Sequence, residues 1–491
     1  MANTRFSSQI FPVQDIDLDG RMESVLVGGR HLLALLPEAW REVDQIAVIG
    51  WGSQGPAQAA NLRDSLAGGG PRVTVGLRRD SSSMRSARSA GFREADGSLG
   101  EMFEMIARAD LVLLLISDGA QAELHAKVFE ALQPGATLGL SHGFLVGYLC
   151  AVGDDFPDDI NVIGVCPKGM GPSVRRLYQQ GAATTGAGIN CSFAVEQDID
   201  GRATDMALAW AVGIGAPYTF KTTLSSEYRS DIFGERAVLL GAVHGLVESL
   251  YRWRRDNGAD EEDAFVRACE TITGPIAATI SRVGLIGLFN GLERNERDHF
   301  ARAYSAAYEP VAAILSEIYD EVDSARELAG VIAAGERLKA HPMAPIEGTR
   351  MWQVGATIRA SRAHRNIPID GIAAGAFAAA MTAQVDLLRR QGHPWSEVAN
   401  ESVIEAVDSL IPFMHARGVA YMVDNCSTTA RLGARRWGPV FEAAFSRVVL
   451  PALDQGAGPD PALMEAFRGH TLHQVLATLS RFRPPLDIAV E

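Results

Sequence analysis

The sequence predicts a doubly wound α/β domain over residues 1–222 and an all-helical domain over residues 223–491. Three observations carry that reading. Between about Ile46 and Phe220, short apolar runs alternate with helical stretches, the rhythm of strands and crossover helices in a parallel sheet. The first run ends in a glycine-rich turn, Gly50-Trp51-Gly52-Ser53-Gln54-Gly55. After about Thr222 the strand signal stops and the chain becomes rich in Ala, Leu, Glu and Arg.

Taken in order, the residues before Arg41 include GGRHLLALLPEAW, expected as a lead-in arm packed on the sheet. Strands are then expected at QIAVIG, RVTVGL, LVLLLI, ATLGL, NVIGV, CSFAV and YTF. Short apolar runs closed by Gly, Ser or Asp fit strands buried on both faces. Helices are expected over 227–256, 260–289, 296–325, 351–365, 372–392, 395–417 and 438–455. Asn257-Gly258, His341-Pro342 and His393-Pro394 punctuate them. The stretch GIAAGAFAAAMTAQ (371–384) reads as close helix packing in a crowded core.

Composition narrows the function. The chain has 491 residues, with 59 acidic against 45 Lys+Arg side chains and a net charge of −14. That charge, without a long basic cluster, argues against nucleic acid or an anionic membrane as the main partner. Hydrophobic residues at 47% and charged ones at 21% exclude a disordered or fibrous chain. The five cysteines lack any C-x-x-C spacing, which speaks against a disulfide framework or a zinc knuckle. The start carries no basic region followed by an apolar core, and LVLLLI is far short of a ~20-residue membrane span. The expectation is a soluble, cytoplasmic protein acting on small molecules, or at most one carried into an organelle by a segment absent from the sequence.

The G-x-G-x-x-G turn has a specific mechanical logic. Its first glycine turns tightly, the second lets backbone approach a pyrophosphate, and the third lets helix pack on strand. Following an apolar strand and opening a helix, Gly50, Gly52, Ser53, Gln54 and Gly55 read as a dinucleotide site. The next strand ends in Leu77-Arg78-Arg79-Asp80-Ser81-Ser82-Ser83. Guanidinium and hydroxyl groups suit a 2′-phosphate, so NADPH is expected. Asp80 would repel that phosphate and leaves NADH open, as does a reading of this loop as ordinary solvated surface.

Other polar groups sit where strands end: Ser141-His142-Gly143 after ATLGL, and Pro167-Lys168-Gly169-Met170-Gly171 after NVIGVC. In an open α/β sheet, ligands bind beyond such ends. The helical half offers two carboxylate pairs at i, i+4, Asp231/Glu235 and Glu401/Glu405. Each pair lies on one helix face. Singly, each reads first as a solvated face; converging, they would form an all-oxygen site suited to Mg²⁺. Spacing alone does not join them.

Six motifs in order, GWGSQGPAQAANLRDS, LSHGF, CPKGMGPSVRRLY, EYRSDIFGERAVLLGAVHG, NESVIEAVDSLIPFMHARG and MVDNCSTTARLG, closely resemble ketol-acid reductoisomerase in its long, plant-like form. The resemblance runs from about residue 12 to 487. It implies a Rossmann-type domain followed by a knotted, duplicated all-α domain, and a homodimer. It further implies an NADPH- and Mg²⁺-dependent enzyme of valine, leucine and isoleucine biosynthesis, converting 2-acetolactate or 2-aceto-2-hydroxybutyrate into 2,3-dihydroxy-3-methyl acids. By that resemblance Asp231 and Glu235 are metal ligands, Asp231 bridging two magnesium ions. Glu401 is a metal and substrate contact, and Glu405 a metal-site acid that handles a proton or supports a ligand. Ser427 binds substrate, His142 and Lys168 belong to the active site, and Arg78, Ser81 and Ser83 line the 2′-phosphate loop.

The chemistry suits those residue types. Moving an alkyl group to a neighbouring carbonyl carbon passes negative charge between adjacent oxygens, which bound cations can stabilise. A lysine can do the same at a fixed point. A plain NADPH reductase of hydroxy acids or imines would need no four-carboxylate site. A non-catalytic NADP(H)-sensing protein of the same fold would be expected to have lost some of these residues, and a specialised paralogue in secondary metabolism would keep them.

Overall fold

The computed structural model describes residues 4–182, 186, 188–362, 366–483, 488 and 490. The chain divides into two compact units: Met1–Arg229 with a short stretch beginning at Ser480, and Ser230–Leu479.

The first unit is built on a ten-stranded sheet ordered β1-β2-β10-β9-β8-β7-β6-β3-β4-β5. The strands are β1 (Val13–Leu18), β2 (Arg21–Val27), β3 (Gln45–Ile49), β4 (Arg72–Leu77), β5 (Leu99–Glu101), β6 (Leu111–Leu114), β7 (Thr137–Leu140), β8 (Asn161–Pro167), β9 (Cys191–Gln197) and β10 (Tyr218–Lys221). All seven expected runs form strands, and β3 to β8 pair in parallel. Alternation along them feeds two cores: Ile46 and Val48 of β3 enter one face, Ala47 and Ile49 the other. Strand order reverses between β4 and β6 on either side of β3, which opens a crevice beyond their carboxyl ends.

The first unit departs from expectation in β5, which no expected run covers, and in two further features. β9 runs antiparallel to β8, with a bulge at Val162/Ile163. A strand buried on both faces has the same apolar signature whichever way its neighbour runs, so composition could not give its direction. The lead-in also contains more than an arm. β1 and β2 form a hairpin that extends the sheet edge through β10. Its two-residue turn is Asp19-Gly20, both at positive φ (57° and 72°), the pair favoured for such turns. GGRHLLALLPEAW itself packs down: Leu32, Leu36 and Trp40 join the core that holds Trp210.

The second unit is helical. The helix Arg294–Asp323 packs against Gly371–Arg390. A Cβ at Gly375 would stand 2.2 Å from the Phe300 carbonyl oxygen, so the Ala/Gly-rich run is what lets the two backbones approach. Gly371–Arg390 and the segment Glu261–Gly291 are long and apolar enough to cross a membrane, but 89% of the former's apolar window is buried within the protein. Expected helices form near their assigned places, and the end of 351–365, at residues 363–365, lies outside the described residues. Helices Arg326–Ala340, Val419–Asn425, Pro461–Arg468 and Leu472–Leu479 were not expected. Wide π-helical turns interrupt the expected helices at Glu235–Ala242, Asn400–Ile404 and Ala406–Leu410.

Candidate active site

In the first unit the glycine-rich turn lies at the end of β3, followed by helix Gln54–Ser65. Gly50 has φ 111°, and a Cβ there would stand 2.5 Å from the Leu115 carbonyl at the end of β6. Gly55 is equally constrained, since its Cβ would meet the Gly50 carbonyl at 2.3 Å. Gly52 differs: a Cβ there would meet nothing within 4 Å. Two glycines therefore serve the fold and the middle one faces open space at a helix N-terminus, whose amides suit a phosphate. Those features fit a dinucleotide.

Ser53 and Gln54 have a further task. Ser53 Oγ accepts the Gly171 N–H at 3.1 Å, and Gln54 Nε2 donates to the Gly169 carbonyl at 2.9 Å. Both side chains thus pin the loop carrying Lys168. Gln58 extends the network, donating to Ser141 Oγ at 2.9 Å and accepting from Trp210 Nε1 at 2.8 Å. At the end of β4, Arg79 is paired with Glu104 at 2.7 Å, while the exposed Arg78 guanidinium has no ion pair among the described residues. Asp80 is exposed; Ser81 and Ser83 are half-buried at the start of helix Ser83–Ser89.

Lys168 is 2% exposed and its ammonium lies 3.3 Å from Oε1 of Glu227, itself 1% exposed. Glu227 Oε2 accepts the Gly143 N–H at 2.7 Å. One buried carboxylate therefore joins the loop after β7 to the loop after β8. The Lys168 charge also reaches Cys191, opposing the rise that burial imposes on that thiol. His142, beside Gly143, accepts the Phe144 N–H at Nδ1 (3.3 Å), an arrangement that puts a neutral ring's proton on Nε2. Asp118 stands 3.8 Å from the same Nδ1. Sequence reasoning missed Glu227 and Asp118. For Glu227 a signal existed, because it precedes Asp231 by four residues as Asp231 precedes Glu235; Asp118 has no local pattern.

In the second unit, ligand oxygens of Asp231, Glu401 and Glu405 lie within 4.8 Å of one another. Asp231 is half-buried, whereas Glu401 and Glu405 are 0% and 7% exposed. Glu235 is outside this trio. It opens the π-helical segment Glu235–Ala242, which begins where the α-helix Leu224–Gly234 carrying Asp231 ends. Glu235 and Glu405 nevertheless converge on Cys426, whose thiol is pushed up to about 12 by burial first and by both carboxylates. Three carboxylates this close, two of them withdrawn from water, form an all-oxygen anionic donor set that fits Mg²⁺. Ser427, next to Cys426, is exposed and caps helix Thr428–Ala444, its Oγ accepting the Ala430 N–H at 3.0 Å.

Buried polar groups bond to one another and to the backbone beside the acids. Ser230, preceding Asp231, donates to Glu397 Oε1 at 2.7 Å. The same oxygen meets His393 Nδ1 at 2.7 Å, and His393 Nε2 meets the Tyr319 hydroxyl at 2.9 Å. Gln384 accepts the Val238 N–H at 3.1 Å and donates to the Glu401 carbonyl at 3.2 Å. None of these four residues, Ser230, Glu397, His393 and Gln384, carried a functional signal in the sequence.

Residues 42–219 match the family model described as acetohydroxy acid isomeroreductase, NADPH-binding domain. Residues 224–364 and 370–455 match ketol-acid reductoisomerase, C-terminal domain. The chain is 52% identical to the protein of Spinacia oleracea named "Ketol-acid reductoisomerase, chloroplastic", over 99% of this chain and 83% of that one. It is 52% identical to the protein of the same name from Pisum sativum, over 99% and 85%. Among solved structures, an NADH-preferring ketol-acid reductoisomerase from an uncultured archaeon superimposes with a TM-score of 0.58 at 24% identity, covering 65% of this chain and 95% of the other, which supports the fold.

Proposed function

The chain belongs to the ketol-acid reductoisomerase family, and from that premise we propose that it rearranges 2-acetolactate and 2-aceto-2-hydroxybutyrate by alkyl migration and reduces the products with NADPH to 2,3-dihydroxy-3-methyl acids. This serves valine, leucine and isoleucine biosynthesis. The observation that carries the reading is the gathering of Asp231, Glu401 and Glu405 within 4.8 Å. These three, with Glu235, are the residues that would hold two Mg²⁺ ions. When bound, Mg²⁺ supplies Lewis-acid stabilisation of neighbouring substrate oxygens and lowers a hydroxyl pKa.

The chain's own residues do the rest. Migration begins with loss of the substrate hydroxyl proton and ends with a proton on the new alkoxide; Glu405 is the carboxylate proposed to take and return it. Lys168, fixed by Glu227, offers an immobile ammonium donor where oxygen charge develops. With Nδ1 taken by the Phe144 N–H, His142 has Nε2 left for a ligand. Ser427 keeps its hydroxyl proton for substrate, since its oxygen is the capping acceptor. Gly50, Gly52, Ser53, Gln54 and Gly55 carry the dinucleotide, and Arg78 with Ser81 and Ser83 holds the 2′-phosphate. NADPH, once bound, supplies the hydride. The division at residue 222 into cofactor-binding and metal-binding parts, a homodimeric state and a cytoplasmic location complete the proposal.

The test is the carbon skeleton of the product. Incubation with 2-acetolactate, NADPH and Mg²⁺ is expected to yield 2,3-dihydroxy-3-methylbutanoate by NMR. A plain reductase would instead give the unrearranged 2,3-dihydroxy-2-methylbutanoate, and that product would overturn the reading.

A further inference from the structure

We propose that Gln384 is the positioning residue that holds the two acid-bearing segments in register and thereby sets the metal affinity of the site. The proposal rests on the reading of Asp231, Glu401 and Glu405 as Mg²⁺ ligands.

Gln384 lies on helix Gly371–Arg390 and is fully buried. Its side chain bonds to two backbone groups and to Ser402 Oγ rather than to the acids' carboxylates. On one side, Oε1 accepts the Val238 N–H at 3.1 Å. Val238 follows Ala237, whose φ −91° and ψ −114° break the helical ladder two residues after Glu235 begins the π segment. On the other side, Nε2 donates to the Glu401 carbonyl at 3.2 Å and to Ser402 Oγ at 3.3 Å, inside the π segment Asn400–Ile404. The two segments cross closely here: a Cβ on Gly234 would stand 3.4 Å from the Glu401 carbonyl and 3.8 Å from Gln384 Nε2.

Helix interiors satisfy their own N–H and C=O groups, and a distortion leaves some of them needing another partner. Both acid-bearing segments are distorted, and one side chain serves a backbone group from each. An amide is the chemistry that fits, because it carries an acceptor and donors at one end without charge. Glutamate would bring another anion beside a carboxylate cluster. Methionine would fill the space while leaving a buried N–H and a buried C=O unbonded. By fixing Val238 against Glu401, Gln384 fixes the separation of the backbones that carry Glu235 and Glu401.

The experiment is calorimetric titration of Mg²⁺ into the full chain, its Gln384→Met variant and its Asp231→Asn variant, with NADPH titrated separately. Gln384→Met is expected to raise the Mg²⁺ Kd by about ten-fold or more, the range for residues that orient ligands, while the NADPH Kd stays within about two-fold. Mg²⁺ binding by Gln384→Met equal to that of the parent, with Asp231→Asn impaired, would overturn the role of Gln384 and leave the metal reading intact. A parent chain that binds no Mg²⁺, or an Asp231→Asn variant that binds it equally well, would overturn the metal reading and this proposal with it. Should Gln384→Met lose its cooperative melt, Gln384→Asn takes its place with the same expected split. Loss of folding in both would overturn the proposal, since it would make Gln384 a general core support.

Discussion

Lys168 and Glu227 are buried together, so removing either charge takes an oppositely charged partner from the other. Glu227→Leu is expected to destabilise the protein by about 3–5 kcal/mol, the usual cost of breaking a buried pair, read as a fall in Tm. The same variant should lower kcat, because Lys168 loses its fixed partner; an unchanged Tm and kcat would show the pair to be dispensable. A half-buried histidine gives a pH test. Burial, then the charges of Arg362 and Arg359, push His415 down to about 4 from 6.5. The folded chain therefore resists protonation that the unfolded chain accepts between these values. Its contribution, about 3 kcal/mol by linkage, is present above pH 6.5 and lost as pH falls through 4. His415→Asn should lose less Tm than the parent between pH 7 and 4.5; equal losses would contradict the shift. At this scale the sequence was legible where a residue type is rare in its setting, as with Lys168 among glycines. It was not legible where the partner comes from another loop, as with Asp118 at His142.

The turn at Gly50–Gly55 was readable because Gly50 and Gly55 answer steric demands of the fold and Gly52 leaves open space for a ligand, all within six residues. Gly50→Ala forces a side chain into a left-handed conformation and onto the Leu115 carbonyl, a strain of about 1–3 kcal/mol before any clash. Gly52→Ala meets nothing and should leave Tm unchanged while raising the NADPH Kd. Equal effects of the two substitutions on Tm would contradict the division of labour. The β1–β2 hairpin carried a readable Asp-Gly signal that its acidic, half-exposed strands obscured. The π turns were not readable: the apolar residues around Glu235 and Glu401 keep a helical pattern, and the distortions show only in how Gln384 and the backbone bond across elements.

Across the whole chain, alternation of short apolar runs and then its disappearance made both fold classes legible, because burial on a sheet and burial on a helix impose different periods. The direction of β9 and four additional helices were not, since those depend on long-range pairing. The acid pairs were named from spacing alone, but 170 residues of intervening chain hid that Asp231 lies beside Glu401 and Glu405. That gathering is the centre of the functional account. The most direct test is the initial rate of NADPH consumption with 2-acetolactate, with Mg²⁺ and after chelation, for the parent chain and Asp231→Asn. The account predicts turnover by the parent only with Mg²⁺ and a loss of at least about a hundred-fold in the variant, with NADPH binding retained. Equal turnover after chelation, or an active Asp231→Asn enzyme, would contradict it.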